Sequence, residues 1–226
     1  MLKEILGRFN MSVELKKRIS TSFLLFFGVF CMFINNFVSA YFLIVLAMFT
    51  IIEFFNIIKI ILNKSKIRQL FINLVFTTYI FAFCYFFIFF SSHFYLKILL
   101  FLILITCVVS DIGGFIFGKI FKGPKLTKIS PKKTIAGSVG SFIFSSLIIF
   151  FIIYLMTNNF DFYVLIIGIL TSTACQLGDL FFSYLKRKAS LKHTGSFLPG
   201  HGGVIDRVDG ILLGLPVGFI SLLLIY

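Results

Sequence analysis

The chain has 226 residues, of which 59% are hydrophobic and 13% charged, with 34 Phe and a net charge of +13; its mean hydropathy is +1.08. A soluble domain carries about 25% charged residues, so a water-soluble globular protein is excluded. The basic residues lie between apolar runs, which argues for membrane topology and phosphate-bearing partners rather than nucleic acid.

Apolar runs of about 18 residues or more follow one another, each long enough as a helix to cross about 30 Å of hydrocarbon. They lack the alternation of barrel strands, and lipid offers a bare backbone no partner. The predicted fold class is therefore all-α, a polytopic integral membrane helix bundle of about seven transmembrane helices. The predicted spans are 19–35, 37–58, 70–90, 94–110, 138–156, 162–178 and 210–226. Four of them form an N-terminal membrane region, 1–110. The rest belong to a C-terminal catalytic region, 111–226, with two cytoplasmic active-site segments. A basic stretch before the first run, and Val38-Ser39-Ala40 after it, imitate a secretory signal and its cleavage site. A second run begins at once, so the first is expected to be a retained helix. With the N-terminus cytoplasmic, every Lys and Arg except Lys97 falls on the cytoplasmic side, as insertion favours.

Cys31, Cys84, Cys107 and Cys175 each fall inside an apolar run without a C-x-x-C pair, so neither a disulfide framework nor a zinc site is expected. Glu53 lies within the second span. A carboxylate there needs a partner or a cavity, which is either a helix–helix hydrogen bond or the lining of a lipid-headgroup cavity.

The long cytoplasmic segments carry the chemistry, because they hold Asp111, Asp179, Asp206 and Asp209. Asp179, Ser183, Lys186 and Arg187 are spaced i, i+4, i+7 and i+8, one face of a continued sixth helix. Gly195, Pro199, Gly200, Gly202 and Gly203 then break it, and backbone so rich in glycine lets N–H groups approach phosphate oxygens. Asp206 and Asp209 follow at i, i+3. Carboxylates paired in this way suit Mg²⁺; simple pairing with Arg207 at the interface is the structural alternative. In the other segment, Ser130-Pro131-Lys132-Lys133-Thr134 puts two cations in a turn before a helix. Alone it reads as a topology signal; beside the acidic segment it reads as a phosphate clamp.

Ser183-x-x-Lys186-Arg187, then Lys192, then Pro199-Gly200-His201-Gly202-Gly203-x-x-Asp206-Arg207-x-Asp209 resembles the signature of the phosphatidate cytidylyltransferases (CDP-diacylglycerol synthases). Gln176-x-Gly178-Asp179-Leu180, Asp111, Gly118 and the Ser130–Thr134 turn resemble the family too, in the same order. The likeness runs from Asp111 to the end. His193 stands where the family usually has Asp, Ala136 where Glu is common, and Gly114 in place of Ala.

The resemblance implies a reaction in which CTP and phosphatidic acid give CDP-diacylglycerol and pyrophosphate. It implies a multi-pass protein of the inner (cytoplasmic) membrane, with its active site facing the cytoplasm and membrane lipids around it. A homodimer is left open. Mg²⁺ ligation falls to Asp179, Asp206 and Asp209, and phosphate clamping to Lys132, Lys133, Lys186 and Arg187. His201 either donates a hydrogen bond or orders its loop. Ser130, Ser183, Gly202, Gly203, Arg207 and Asp111 complete the expected substrate contacts. A CTP-dependent lipid kinase would use similar machinery but transfer the γ-phosphoryl group. A transporter of an anionic solute would show repeated halves with broken helices, and no such repeat is present.

Overall fold

Inside a bilayer each N–H and C=O must be satisfied within the chain, and the apolar runs achieve this as α-helices. A computed structural model describes residues 19–131, 133–195, 197 and 202–225. Among them are α1 (Ile19–Ile34), α2 (Asn36–Ile61), α3 (Lys66–Ser91), α4 (Phe94–Phe121), α5 (Ile135–Thr157), α6 (Tyr163–Lys188) and α7 (Ile205–Ile225). Lys132, His201 and the basic residues of 1–18 lie outside the described residues. The helices α2 to α7 are each long and apolar enough to cross a membrane, whereas α1 in its described part is shorter. The expected seven spans are thus six long helices and one short apolar one, and the protein is a multi-span membrane protein. Asn35 separates α1 from α2, its Oδ1 accepting from the N–H of Phe37 at 2.8 Å as an N-cap does.

One helix end differs from the sequence expectation at the polar side: α4 does not stop at Ser110 but continues through Asp111 to Phe121. α6 runs to Lys188, as the continued sixth helix was expected to do. Residues 111–121 were expected in a connection because three glycines follow Asp111. Those glycines are packing contacts and break nothing. A Cβ on Gly113 would lie 2.8 Å from the carbonyl oxygen of Gly140, and one on Gly137 would lie 2.7 Å from that of Gly114. The two backbones approach closely only because small residues face each other, as is common between membrane helices.

Packing divides the chain into two units: Met1–Cys84 with Leu191–Arg207, and Tyr85–Ser190 with Val208–Tyr226. In the first, the rings of Phe54 on α2 and Phe76 on α3 stack with centroids 3.7 Å apart. Around them Ile57, Ile58 and Ile80 are buried. In the second, α5 packs between α4 and α6. Ser145 Oγ donates to the carbonyl of Gly168 at 3.0 Å and Ser146 Oγ to that of Leu165 at 3.1 Å, both joining α5 to α6. On α7, Gly210, Gly214 and Gly218 recur every fourth residue. A Cβ at Gly218 would come within 2.4 Å of Thr171 Oγ1, and at Gly210 within 3.3 Å of the Cys175 carbonyl, so this stripe seats α7 against α6.

The α4–α5 seam has a testable consequence. A Cβ on Gly140 would sit 2.4 Å from Phe117 Cβ and 2.8 Å from the Gly113 carbonyl. Gly140→Val is expected to destabilise the protein by about 1–3 kcal/mol or more through overpacking, read as a lower melting temperature in detergent. An unchanged melting temperature would mean that the seam is looser than described.

Candidate active site

Lys122 (φ 51) and Gly123 (φ 96) turn the chain after α4, and a short hairpin returns it to α5. Leu126 N–H donates to the Lys133 carbonyl at 2.8 Å, and Ile135 N–H to that of Pro124 at 3.1 Å. Ser130 contributes its carbonyl to the N–H of Lys133 at 3.0 Å. Thr134 then caps α5, its Oγ1 accepting from Gly137 N–H at 3.1 Å. This scaffold holds Lys133 so that its Nζ lies 2.6 Å from Asp179 Oδ2 on α6. Arg187, two turns further along α6, donates from Nε to the Ile129 carbonyl at 3.4 Å. Arg187 therefore braces the hairpin that presents Lys133.

Asp179 is also where α6 meets α7. A Cβ on Gly178 would fall 2.4 Å from the Asp209 carbonyl oxygen, and one on Gly210 would fall 3.0 Å from Asp179 Oδ1. The glycines thus let the two aspartates come together. Asp179 lies within hydrogen-bonding reach of Asp209 and within electrostatic reach of Asp111 on α4. Lys186 Nζ is 3.8 Å from Asp209 Oδ2. Three carboxylates and two ammonium groups are therefore interleaved. Asp111 is exposed, whereas Asp179, Asp209, Lys133 and Lys186 are partly withdrawn from water, where charges interact more strongly than in bulk solvent. Ser183 is half-buried on α6 between Asp179 and Lys186.

Beside Lys133 and Asp179 opens a cavity of about 250 Å³, lined also by Asp111, Ser138 and Gln176. Ser138 Oγ donates to Gln176 Oε1. Gln176 Nε2 donates to Ser172 Oγ at 3.2 Å, and Ser172 Oγ lies 2.7 Å from Ser110 Oγ. A polar seam thus runs from the cavity between α4, α5 and α6. Ser138 and Gln176 were not among the expected site residues. The available signal was a glutamine inside an apolar span, three residues before Asp179 and on the same helix face.

The glycine-rich segment belongs to the other unit. Asp206 Oδ2 accepts from the N–H groups of Thr194 at 3.1 Å and Gly203 at 3.3 Å, and His193 Nδ1 is 3.5 Å away. The Gly203 N–H, expected to face a phosphate, is thereby directed to Asp206. Gly202 adopts φ +85, a left-handed conformation that favours glycine. Arg207 is exposed in the first turn of α7. Glu53 is fully buried. It accepts from Thr194 Oγ1 at 2.7 Å, Val204 N–H at 2.8 Å and Ile205 N–H at 3.0 Å. Of the two expectations for Glu53, the helix–helix hydrogen bond is met by the Ile205 N–H that opens α7. Its other partners are a loop hydroxyl and the Val204 amide rather than the lining of a headgroup cavity.

Asp206, expected as a Mg²⁺ ligand with Asp179 and Asp209, uses Oδ2 to accept from the Thr194 and Gly203 N–H groups instead. The donor chemistry of Asp179 and Asp209, with Asp111 in electrostatic reach, fits a divalent ion such as Mg²⁺. They offer hard carboxylate oxygens only, and Mg²⁺ keeps several waters and binds through one or two carboxylates plus substrate phosphates. Among the described residues no three or more His, Cys, Asp or Glu are placed to hold a metal ion together, so an ion here would be held by at most two of these carboxylates with substrate phosphates.

The model of the cytidylyltransferase family matches residues 1–225. The chain is similar to proteins named phosphatidate cytidylyltransferase. One from Rickettsia felis is 43% identical, over 54% of this chain and 59% of the relative. Another, from Helicobacter pylori, is 38% identical over 50% of this chain and 42% of the relative. A third, from Staphylococcus haemolyticus, is 38% identical over 48% of this chain and 43% of the relative. The chain matches about half the length of these curated relatives. On the family match over its length, the chain belongs to the cytidylyltransferase family.

Proposed function

We propose that this protein transfers the cytidylyl group of CTP to phosphatidic acid, giving CDP-diacylglycerol and pyrophosphate, at the cytoplasmic face of the cell's inner membrane. The observation that carries the reading is the interleaving of Asp111, Asp179 and Asp209 with Lys133 and Lys186. Two polyanions must meet for this reaction, and such a site offers both cations for phosphate and carboxylates for a counter-ion. The relatives' printed names support the same substrates.

The phosphate oxygen of phosphatidic acid attacks the α-phosphorus of CTP, and the bond from that phosphorus to the bridging β-phosphate oxygen breaks. Pyrophosphate leaves with that electron pair. The lipid phosphate is already anionic, so no strong base is required, and the protein's work is alignment and charge compensation. Lys133, released in part from Asp179, and Lys186 neutralise the leaving pyrophosphate. Ser138 and Gln176 line the cavity as neutral donors and acceptors. Asp179 and Asp209, with Asp111 in reach, would hold Mg²⁺, which when bound supplies positive charge between the two polyanions. Asp206 and Gly203 order the glycine-rich loop.

The test is incubation of purified protein with CTP labelled in the base, phosphatidate and Mg²⁺. Label recovered in lipid, with stoichiometric pyrophosphate, is the expected result. Phosphorylated lipid without label would replace this reading by a lipid kinase, and neither product would end it. Sidedness is tested separately, by labelling of cysteines placed in residues 191–195 from one face of sealed vesicles. Labelling from the outside would overturn the cytoplasmic placement.

A further inference from the structure

We infer that Glu53 is a positioning residue that caps α7 from a distant part of the sequence and so holds the D-R-x-D turn in its working register. This rests on the proposed reaction only for its kinetic consequence. The first N–H groups of any helix lack partners within it, and a side-chain oxygen at the preceding residue commonly supplies one. The residue before α7 is Val204, which has no such oxygen. The missing acceptor comes from α2 instead. Glu53 takes the N–H groups of Val204 and Ile205 at 2.8 and 3.0 Å, and its negative charge suits the positive end of a helix.

The same carboxylate binds Thr194 Oγ1 at 2.7 Å, so one side chain gathers two points of the chain that lie ten residues apart. Glu53 sits about two turns inside the end of α2, about 12 Å at 1.5 Å per residue. Irregular backbone reaching that depth is tolerated only where protein satisfies it. Space around the carboxylate is closed. A Cβ on Gly195 would lie 2.5 Å from Glu53 Oε1, and one on Gly203 would lie 2.5 Å from Oε2 and 1.9 Å from Thr194 Oγ1. Gly195 and Gly203 are thus glycines because backbone must pass this close to Glu53. Asp206 depends on the same arrangement, since its Oδ2 accepts from Thr194 and Gly203. Asp209 leaves the same helix one turn later.

The experiment compares full-length wild type with Glu53→Gln and Thr194→Val in detergent micelles. Steady-state kinetics are read beside hydrogen exchange of peptides covering 50–57 and 202–208. Glu53→Gln keeps the shape but turns an amide NH₂ toward backbone donors. It is expected to lower kcat about 100-fold, the cost of a small misplacement, with both KM values within about threefold. Exchange should quicken in 202–208 while 50–57 stays protected. Thr194→Val should give the same exchange pattern and a smaller loss of kcat, about tenfold. The inference is overturned if kcat per folded protein stays within about threefold of wild type in both variants. It is equally overturned if 50–57 loosens as much as 202–208, which would mark a general packing role. If Glu53→Gln does not fold, Thr194→Val decides by the same two readouts. If wild type forms no CDP-lipid, the proposed reaction fails, and exchange alone decides the role of Glu53.

Discussion

Asp209→Asn is expected to abolish turnover, lowering kcat by on the order of 10³-fold or more, with little loss of folded protein. The substitution is nearly isosteric and removes one of three mutually repelling carboxylates, so relief of repulsion offsets the lost attraction to Lys186, 3.8 Å away. Stability and activity should therefore separate. The melting temperature in detergent stays near wild type, whereas pyrophosphate release with CTP and phosphatidate disappears at saturating Mg²⁺. Near-normal Mg²⁺-dependent turnover in the variant would remove Asp209 from the proposed ion site. Titration of Mg²⁺ adds a second readout, because a surviving site with one ligand fewer should need a higher Mg²⁺ concentration for half-maximal rate.

Lys133→Ala carries the other large effect. Lys133 Nζ is 2.6 Å from Asp179 Oδ2, and the hairpin bonds from Leu126 and Ser130 fix the lysine backbone. Removing the ammonium leaves Asp179 uncompensated beside Asp111 and Asp209, and takes away a cation meant for the nucleotide phosphates. The expected result is a fall of about 10³-fold in kcat/KM for CTP, with KM for CTP rising more than KM for phosphatidate. Lys133→Arg should recover part of this loss, since it restores the charge but not the compact ammonium geometry. An unchanged KM for CTP in Lys133→Ala would assign the lysine to structure alone.

Much of the architecture was legible in composition. Long apolar runs have one low-energy form in lipid, so seven helical segments followed from their lengths, and six of the helices meet the length of a span. The acidic and basic residues of the site were legible as well. Asp179 and Lys186 share a helix face by their spacing, and a charge placed beside an apolar span is costly unless used. Less legible were the helix ends. Gly113, Gly114 and Gly118 read locally as a break, yet they continue α4, because α5 presents Gly137 and Gly140 to them and close packing outweighs the intrinsic cost of glycine in a helix.

What the sequence determined by itself is the class of protein and the inventory of its chemistry: helices in a membrane, with carboxylates and lysines concentrated in two segments. Only the tertiary structure decided who meets whom. It set Lys133 against Asp179, directed the Gly203 N–H to Asp206, used Arg187 to brace a hairpin, and gave Glu53 to α7 as its cap. The reason is that hydrophobic length and helical spacing are local properties of a chain. A hydrogen bond between residues some 150 positions apart depends on how helices pack, which no local pattern of residues encodes.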